Sequence, residues 1–253
     1  MTLSDIFSHI FKNNVITNGF SMFSWQHFVL LAFEILIPFI LSIVLTKKVA
    51  DSKEKVLKIA ATTLLILYIF DFFIQPFYAA EMMIHKLPFH LCTATGILIV
   101  FVTYNKKFDR LKTLVTVWAV LSPLLWMIFP FSTYESVSLL SYSLIQSILY
   151  HCVEFFWGLF MLMSGRVELK WKTIWQPIVG LLPMSIWATI GQELYFPNTI
   201  GENFMMLRTD TSGICPQWLY LLALFTAAVI AISLLYLIYY LVSKKKKVLT
   251  EQS

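Results

Sequence analysis

Charge is scarce in this sequence. Only 13% of its 253 residues are Asp, Glu, Lys or Arg, about half the share of a soluble domain. Glycine is sparse and scattered: eight residues, with no G-x-G-x-x-G and no Walker loop. The signals of a phosphate-cradling nucleotide site are therefore absent. There are three cysteines, an odd number, and Cys92 and Cys152 lie inside apolar runs. That argues against a disulfide framework. No C-x-x-C and no H-x-x-x-H occurs. His90, Cys92, His151 and Cys152 are ligand types that zinc prefers, but the adjacent pairs diverge on helices, so no metal and no cofactor is expected. The first twenty residues hold no compact signal peptide, because Asp5, Lys12, Asn13 and Asn14 interrupt them. The first membrane helix is expected to stay in the mature protein.

What is there is apolar. Hydrophobic residues make up 58% of the chain and aromatic residues 16%. That much apolar surface has no aqueous solution and predicts a polytopic membrane protein. A membrane helix needs about 20 mostly apolar residues. The expected fold is an all-α bundle of seven transmembrane helices, one integral membrane domain over the whole chain. The spans fall at about 25–46, 57–79, 87–104, 111–129, 138–163, 173–193 and 217–242. The start of the fifth, Ser138 to Ser143, reads as an interfacial or re-entrant segment. Connections are short except for 194–216, and no internal repeat is visible.

The net charge of +5 sits in short loops rather than in a nucleic-acid patch. Lys47, Lys48, Lys53, Lys55 and Lys58 flank the first loop, and Lys106, Lys107, Arg110 and Lys112 the third. Arg166, Lys170 and Lys172 mark the fifth, and Lys244 to Lys247 follow the last span. The opposite face has only Lys12, Lys86 and Arg208. By the positive-inside rule the N-terminus is expected outside and the C-terminus in the cytoplasm of a multi-pass cell-membrane protein. Membrane lipids are its expected surroundings; no nucleic-acid partner is expected.

The segment Lys86-Leu87-Pro88-Phe89-His90-Leu91-Cys92 opens the third apolar run. Pro88 suits the first turn of a helix. His90 and Cys92 would follow within two turns of the outer surface, where a reactive side chain meets lipid and water. Cys92 also reads as a small packing hydrophobe. His90 and Cys92 are two apart and would point to different helix faces. His151, on a later span, is the better partner for the thiol.

Ionisable groups inside spans usually face the bundle interior, because each costs about 2.5–3.5 kcal/mol in hydrocarbon. Glu34, Asp71, His151 and Glu154 are such groups. His151 and Glu154 are three apart and share a helix face. They read either as an interhelical clamp or as a base with its orienting carboxylate. Cys152 reads as packing.

A family pattern also runs through the chain. Leu87-Pro88-Phe89-His90-Leu91-Cys92 is followed by His151 on a later span. Gly201-Glu202-Asn203-Phe204-Met205-Met206-Leu207 then precedes the final helix. Together, over residues 22–242, they resemble the YwaF-type family of bacterial integral membrane proteins. That resemblance implies a fold shared with a eukaryotic transmembrane phospholipid acyltransferase that uses a cysteine and a histidine. A more distant resemblance is to membrane lipid hydrolases that pair a threonine with a histidine. Carried over, Cys92 takes the place of the nucleophile and His151 that of the base, and Asn203 matches a recurrent loop asparagine. Phe204 stands where the family has a tyrosine, and Arg208-Thr209-Asp210-Thr211 replaces a proline-containing segment.

The function these readings predict is acyl transfer or acyl hydrolysis on a phospholipid through an acyl-cysteine. Cys92 and His151 would be catalytic, with Glu154, His90, Asn203 and Asp71 in support. His90 or Asn203 would donate to the oxyanion. The alternatives are a small-molecule transporter or channel lined by Glu34, Asp71, His151 and Glu154, and a non-catalytic lipid-binding protein.

Overall fold

An apolar run in lipid has no water to satisfy its peptide groups, so it closes its own hydrogen bonds as a helix. The computed structural model describes residues 20–49, 52–78, 87–129, 141–195, 204–207 and 216–251, and no strand occurs among them. The helices are α1 (Trp25–Lys48), α2 (Lys53–Tyr78), α3 (Leu91–Tyr104), α4 (Lys112–Ile128), α5 (Tyr142–Met163), α6 (Trp175–Tyr195) and α7 (Gln217–Glu251). Short 3-10 turns at Lys106–Leu111, Trp171–Thr173 and Phe204–Met206 join or flank them. Among the described residues six helices are long and apolar enough to cross a membrane; α3, with 14 residues, is apolar but shorter.

Helix ends follow local chemistry. Ser24 caps α1 by accepting the His27 N–H at 3.4 Å, and Ser141 caps α5 by accepting the Leu144 N–H at 3.3 Å. Such hydroxyls satisfy donors that the first helical turn leaves open. The fifth helix therefore begins at Tyr142 rather than at 138; residues 138–140 lie outside the described residues. Gly165 follows α5 with φ +72°, the left-handed turn that ends helices without a Cβ penalty.

Burial identifies the centre. In α5, 56% of the most apolar stretch is buried inside the bundle, against 11% in α7. Helix α5 packs on α1, α2, α3 and α4. Gly158 lets α4 come close: a Cβ there would sit 2.9 Å from the Ala119 carbonyl carbon and the Val120 side chain. Small residues at helix crossings are how membrane bundles gain packing. Helix α1 inverts the pattern of a soluble helix. Its buried positions are His27, Glu34, Pro38 and Ser42, whereas Phe28, Phe33, Leu36, Ile37 and Ile40 are exposed. The polar stripe meets α5, where Ser42 Oγ donates to the Phe156 carbonyl at 3.5 Å and Cys152 Sγ to the Glu34 carbonyl at 3.8 Å. Its apolar side is left open by the other described residues.

The two ends of the bundle differ. Lys53 Nζ donates to the Ser164 carbonyl at 3.1 Å, joining the start of α2 to the end of α5. Glu54 lies within electrostatic reach of Lys106 and Arg166. At the other end His27 ties α1 to α4. Its Nδ1 accepts the Phe23 N–H at 2.9 Å, so Nε2 carries the proton and donates to the Met127 carbonyl at 3.0 Å.

Candidate functional site

The third helix starts later than its sequence suggests. The Phe89 N–H donates back to the Leu87 carbonyl at 2.7 Å, making a tight turn. Trp187 Nε1 of α6 donates to the Pro88 carbonyl at 2.9 Å. Phe89 is buried against the rings of Trp187, Tyr195 and Phe204, and Gly191 clears its seat, since a Cβ there would strike the ring. Gln192 Oε1 accepts the Phe204 N–H at 3.0 Å, holding the 204–207 segment over the turn. Pro88 thus precedes the helix instead of lying in its first turn: its carbonyl and Phe89 are committed to α6. His90 is the cap residue, with extended backbone (φ −84°, ψ 145°), and Cys92 is the second residue of α3. His90 and Cys92 accordingly do not share a helix, and the expectation that they point to different faces of one helix does not apply. The His90 ring meets Phe204 edge-on, with centroids 4.9 Å apart.

Below Cys92 lies a buried polar group. Ser122 of α4 and Glu154 of α5 lie within electrostatic reach of the thiol. Ser122 Oγ donates to Glu154 Oε1 at 3.2 Å. Glu154 is fully buried, and its Oε2 has no hydrogen-bond partner among the described residues. An unmet buried polar atom costs about 1–3 kcal/mol, so a bundle keeps one only where something else is gained. Tyr150, 6% exposed, sets its hydroxyl against the backbone of Gly96, one turn after Cys92 on α3.

His151 is oriented by three groups. Its ring stacks on Trp126 at 4.0 Å, with planes 2° apart, and meets Tyr150 edge-on at 6.0 Å. Nδ1 lies 2.7 Å from the Ser147 carbonyl. A carbonyl only accepts, so Nδ1 carries the proton and Nε2 is the acceptor nitrogen of the neutral ring. His90 lies within electrostatic reach of His151. Ser122 and Trp126 are one turn apart on α4, and Glu154 and His151 one turn apart on α5. Each α4 residue holds one α5 residue. Glu154 is therefore turned to Ser122 and Cys92, not to the imidazole. No hydrogen bond joins Cys92 to His151 among the described residues; they flank the same α4 face.

Asp71 is buried on α2, within electrostatic reach of Tyr68, Tyr142 and Tyr150, and Glu34 is buried on α1. Asn203 lies outside the described residues, as do Glu81, His85, Arg208, Asp210 and Cys215. Cys92 and Cys152 are free thiols. Among the described residues no three His, Cys, Asp or Glu side chains are grouped to hold a metal ion. Ser122, Trp126, Tyr150 and Gly96 were not singled out from sequence. Only Gly96, four residues after Cys92 in an apolar run, carried a readable signal: space left on the cysteine's face.

The model of the TMEM164 family matches residues 22–247. No curated protein and no solved structure matches the chain.

Proposed function

This chain belongs to the TMEM164 family, and from that premise and the site we propose that it is a membrane enzyme moving acyl chains through an acyl-cysteine on Cys92. The observation that carries the reading is the placement of the thiol. It sits in the first turn of α3, within electrostatic reach of Glu154, which Ser122 holds; His151, one turn before Glu154 on α5, has its acceptor nitrogen set by its other hydrogen bond. The resemblance of the same cysteine and histidine to a lipid acyltransferase pair agrees with it.

In this mechanism Cys92 Sγ attacks the carbonyl carbon of a phospholipid ester, and His151 Nε2 takes the thiol proton. The C–O bond breaks, and the departing alcohol oxygen receives that proton. A lysolipid hydroxyl or water then gives its proton to His151 and takes the acyl group, restoring the thiol. Catalytic hydrogen bonds often close only when substrate is bound, so the Cys92–His151 contact forms in the complex. His90, at the mouth of the site, and Asn203 support it, and Asp71 and Glu154 shape its polar floor.

Seven spans, with the N-terminus outside, complete the proposal. The gathering of the α2 start, the α5 end and the Lys106 turn at one end agrees with a single cytoplasmic face. The cell membrane is its proposed location.

The test is incubation of the purified protein in detergent with a diacyl phospholipid, read by intact mass. An adduct of one acyl chain, lost in Cys92→Ala and strongly slowed in His151→Ala, supports the mechanism. Acyl turnover that persists in Cys92→Ala removes it.

A further inference from the structure

The mechanism above leaves the buried Tyr150 hydroxyl unused. The Tyr150 hydroxyl has no hydrogen-bond partner among the described residues, although the side chain is almost fully enclosed. It is not loosely placed. Gly96 lies on the Cys92 face of α3, four residues on, and a Cβ there would collide with the hydroxyl oxygen and lie 2.7 Å from the ring carbon that bears it. Cys92 and Glu154 are within electrostatic reach of the phenol, as are Tyr68 and Asp71 of α2. A phenol is a donor held on a rigid ring, so it can aim at one point while keeping its proton. The first backbone bond of α3 runs from the Ala94 N–H to the His90 carbonyl. The Cys92 N–H comes before it, at the open start of the helix.

We propose that Tyr150 donates to the acyl carbonyl oxygen as Cys92 attacks, with the Cys92 N–H as the second donor; the role rests on the acyl-transfer reading. As the Sγ–C bond forms, the carbonyl π pair moves onto oxygen. The two donors hold that oxygen without giving up their protons. When the pair returns, the C–O bond breaks, and the alcohol leaves with the proton held by His151. The same donors serve the second half, when the acceptor oxygen attacks the thioester. The unmet hydroxyl is then a group kept ready for charge that exists only during the reaction.

The test compares two reagents on one thiol in purified protein. A p-nitrophenyl ester of a medium-chain fatty acid builds negative charge on a carbonyl oxygen; iodoacetamide reacts at a saturated carbon and does not. Tyr150→Phe is expected to slow acylation of Cys92 about 100-fold, with alkylation within twofold of wild type. Acylation at the wild-type rate overturns the proposal. Equal slowing of both reactions also overturns it, because the hydroxyl would then only pack. Cys92→Ala is run alongside. Acylation surviving in Cys92→Ala removes the acyl-cysteine reading itself, whereas its loss there with normal rates in Tyr150→Phe removes only the role of Tyr150.

Discussion

The Ser122 hydroxyl donates to Glu154 Oε1 at 3.2 Å, across the α4–α5 interface and inside the apolar bundle. It is the one hydrogen bond that the Glu154 side chain makes among the described residues. Ser122→Ala would leave both carboxyl oxygens unmet. The expected cost is about 1–3 kcal/mol, read as a lower unfolding midpoint in detergent. Ser122→Thr keeps the hydroxyl and is expected to recover most of it. A midpoint unchanged in Ser122→Ala would mean that Glu154 finds another partner.

His151 offers a different test, of rate rather than stability. General bases contribute about 10²–10⁴-fold. His151→Ala is expected to slow acyl-adduct formation on Cys92 by that order, whereas His27→Ala is not, since both His27 nitrogens are committed to Phe23 and Met127. His27→Ala should instead lower the unfolding midpoint by loosening α1 from α4. Equal adduct rates in His151→Ala and wild type would take the base role from His151.

Two glycines, one inside α5 and one just past its end, predict different causes of damage. Gly158→Ala places a methyl 2.9 Å from the Ala119 backbone carbon. Backbone cannot swing away, so α4 and α5 must separate, at about 1–3 kcal/mol. Gly165→Ala meets no atom within 4 Å, but its φ of +72° disfavours a side chain, at about 1–2 kcal/mol. Gly165→Asn should recover part of this, since asparagine tolerates the left-handed region better; Gly158→Asn should be worse than Gly158→Ala. Midpoints from thermal unfolding of the four variants decide it.

The turn before α3 should control the thiol from a distance. Trp187→Phe removes the donor to the Pro88 carbonyl but keeps a ring against Phe89. The bond is worth about 0.5–1.5 kcal/mol. Alkylation of Cys92 by iodoacetamide is expected to quicken as the turn loosens and exposes the helix start. An unaltered rate would show that Phe89 and Gly191 hold the turn without the indole.

Orientation is open to direct labelling. Single cysteines in place of Ser52 and Lys170 should react with a membrane-impermeant maleimide only after the cells are opened. A cysteine in place of Trp25 should react in intact cells. The reverse pattern would invert the proposed topology.

The sequence by itself determined the class of the molecule. Apolar runs of helix length, lysines concentrated in alternate connections and scarce charge leave little but a helical membrane bundle, because hydrocarbon accepts few other backbones. It also made Cys92, His151 and Glu154 conspicuous, because polar side chains are costly there.

Tertiary structure alone decided which groups meet them. Glu154 reads in sequence as the neighbour of His151, three residues away, yet it faces Ser122 and Cys92 because α4 presents a hydroxyl at that level and an indole at the next. Helical spacing fixes which residues share a face, but not which partner the neighbouring helix brings to it. Pro88 carried a helix-start signal, and local preference alone favoured it. Contacts with α6, 99 residues away along the chain, moved the start to Leu91. Tyr150 was one aromatic among many until Gly96 on another helix, one turn beyond Cys92, gave its hydroxyl a place.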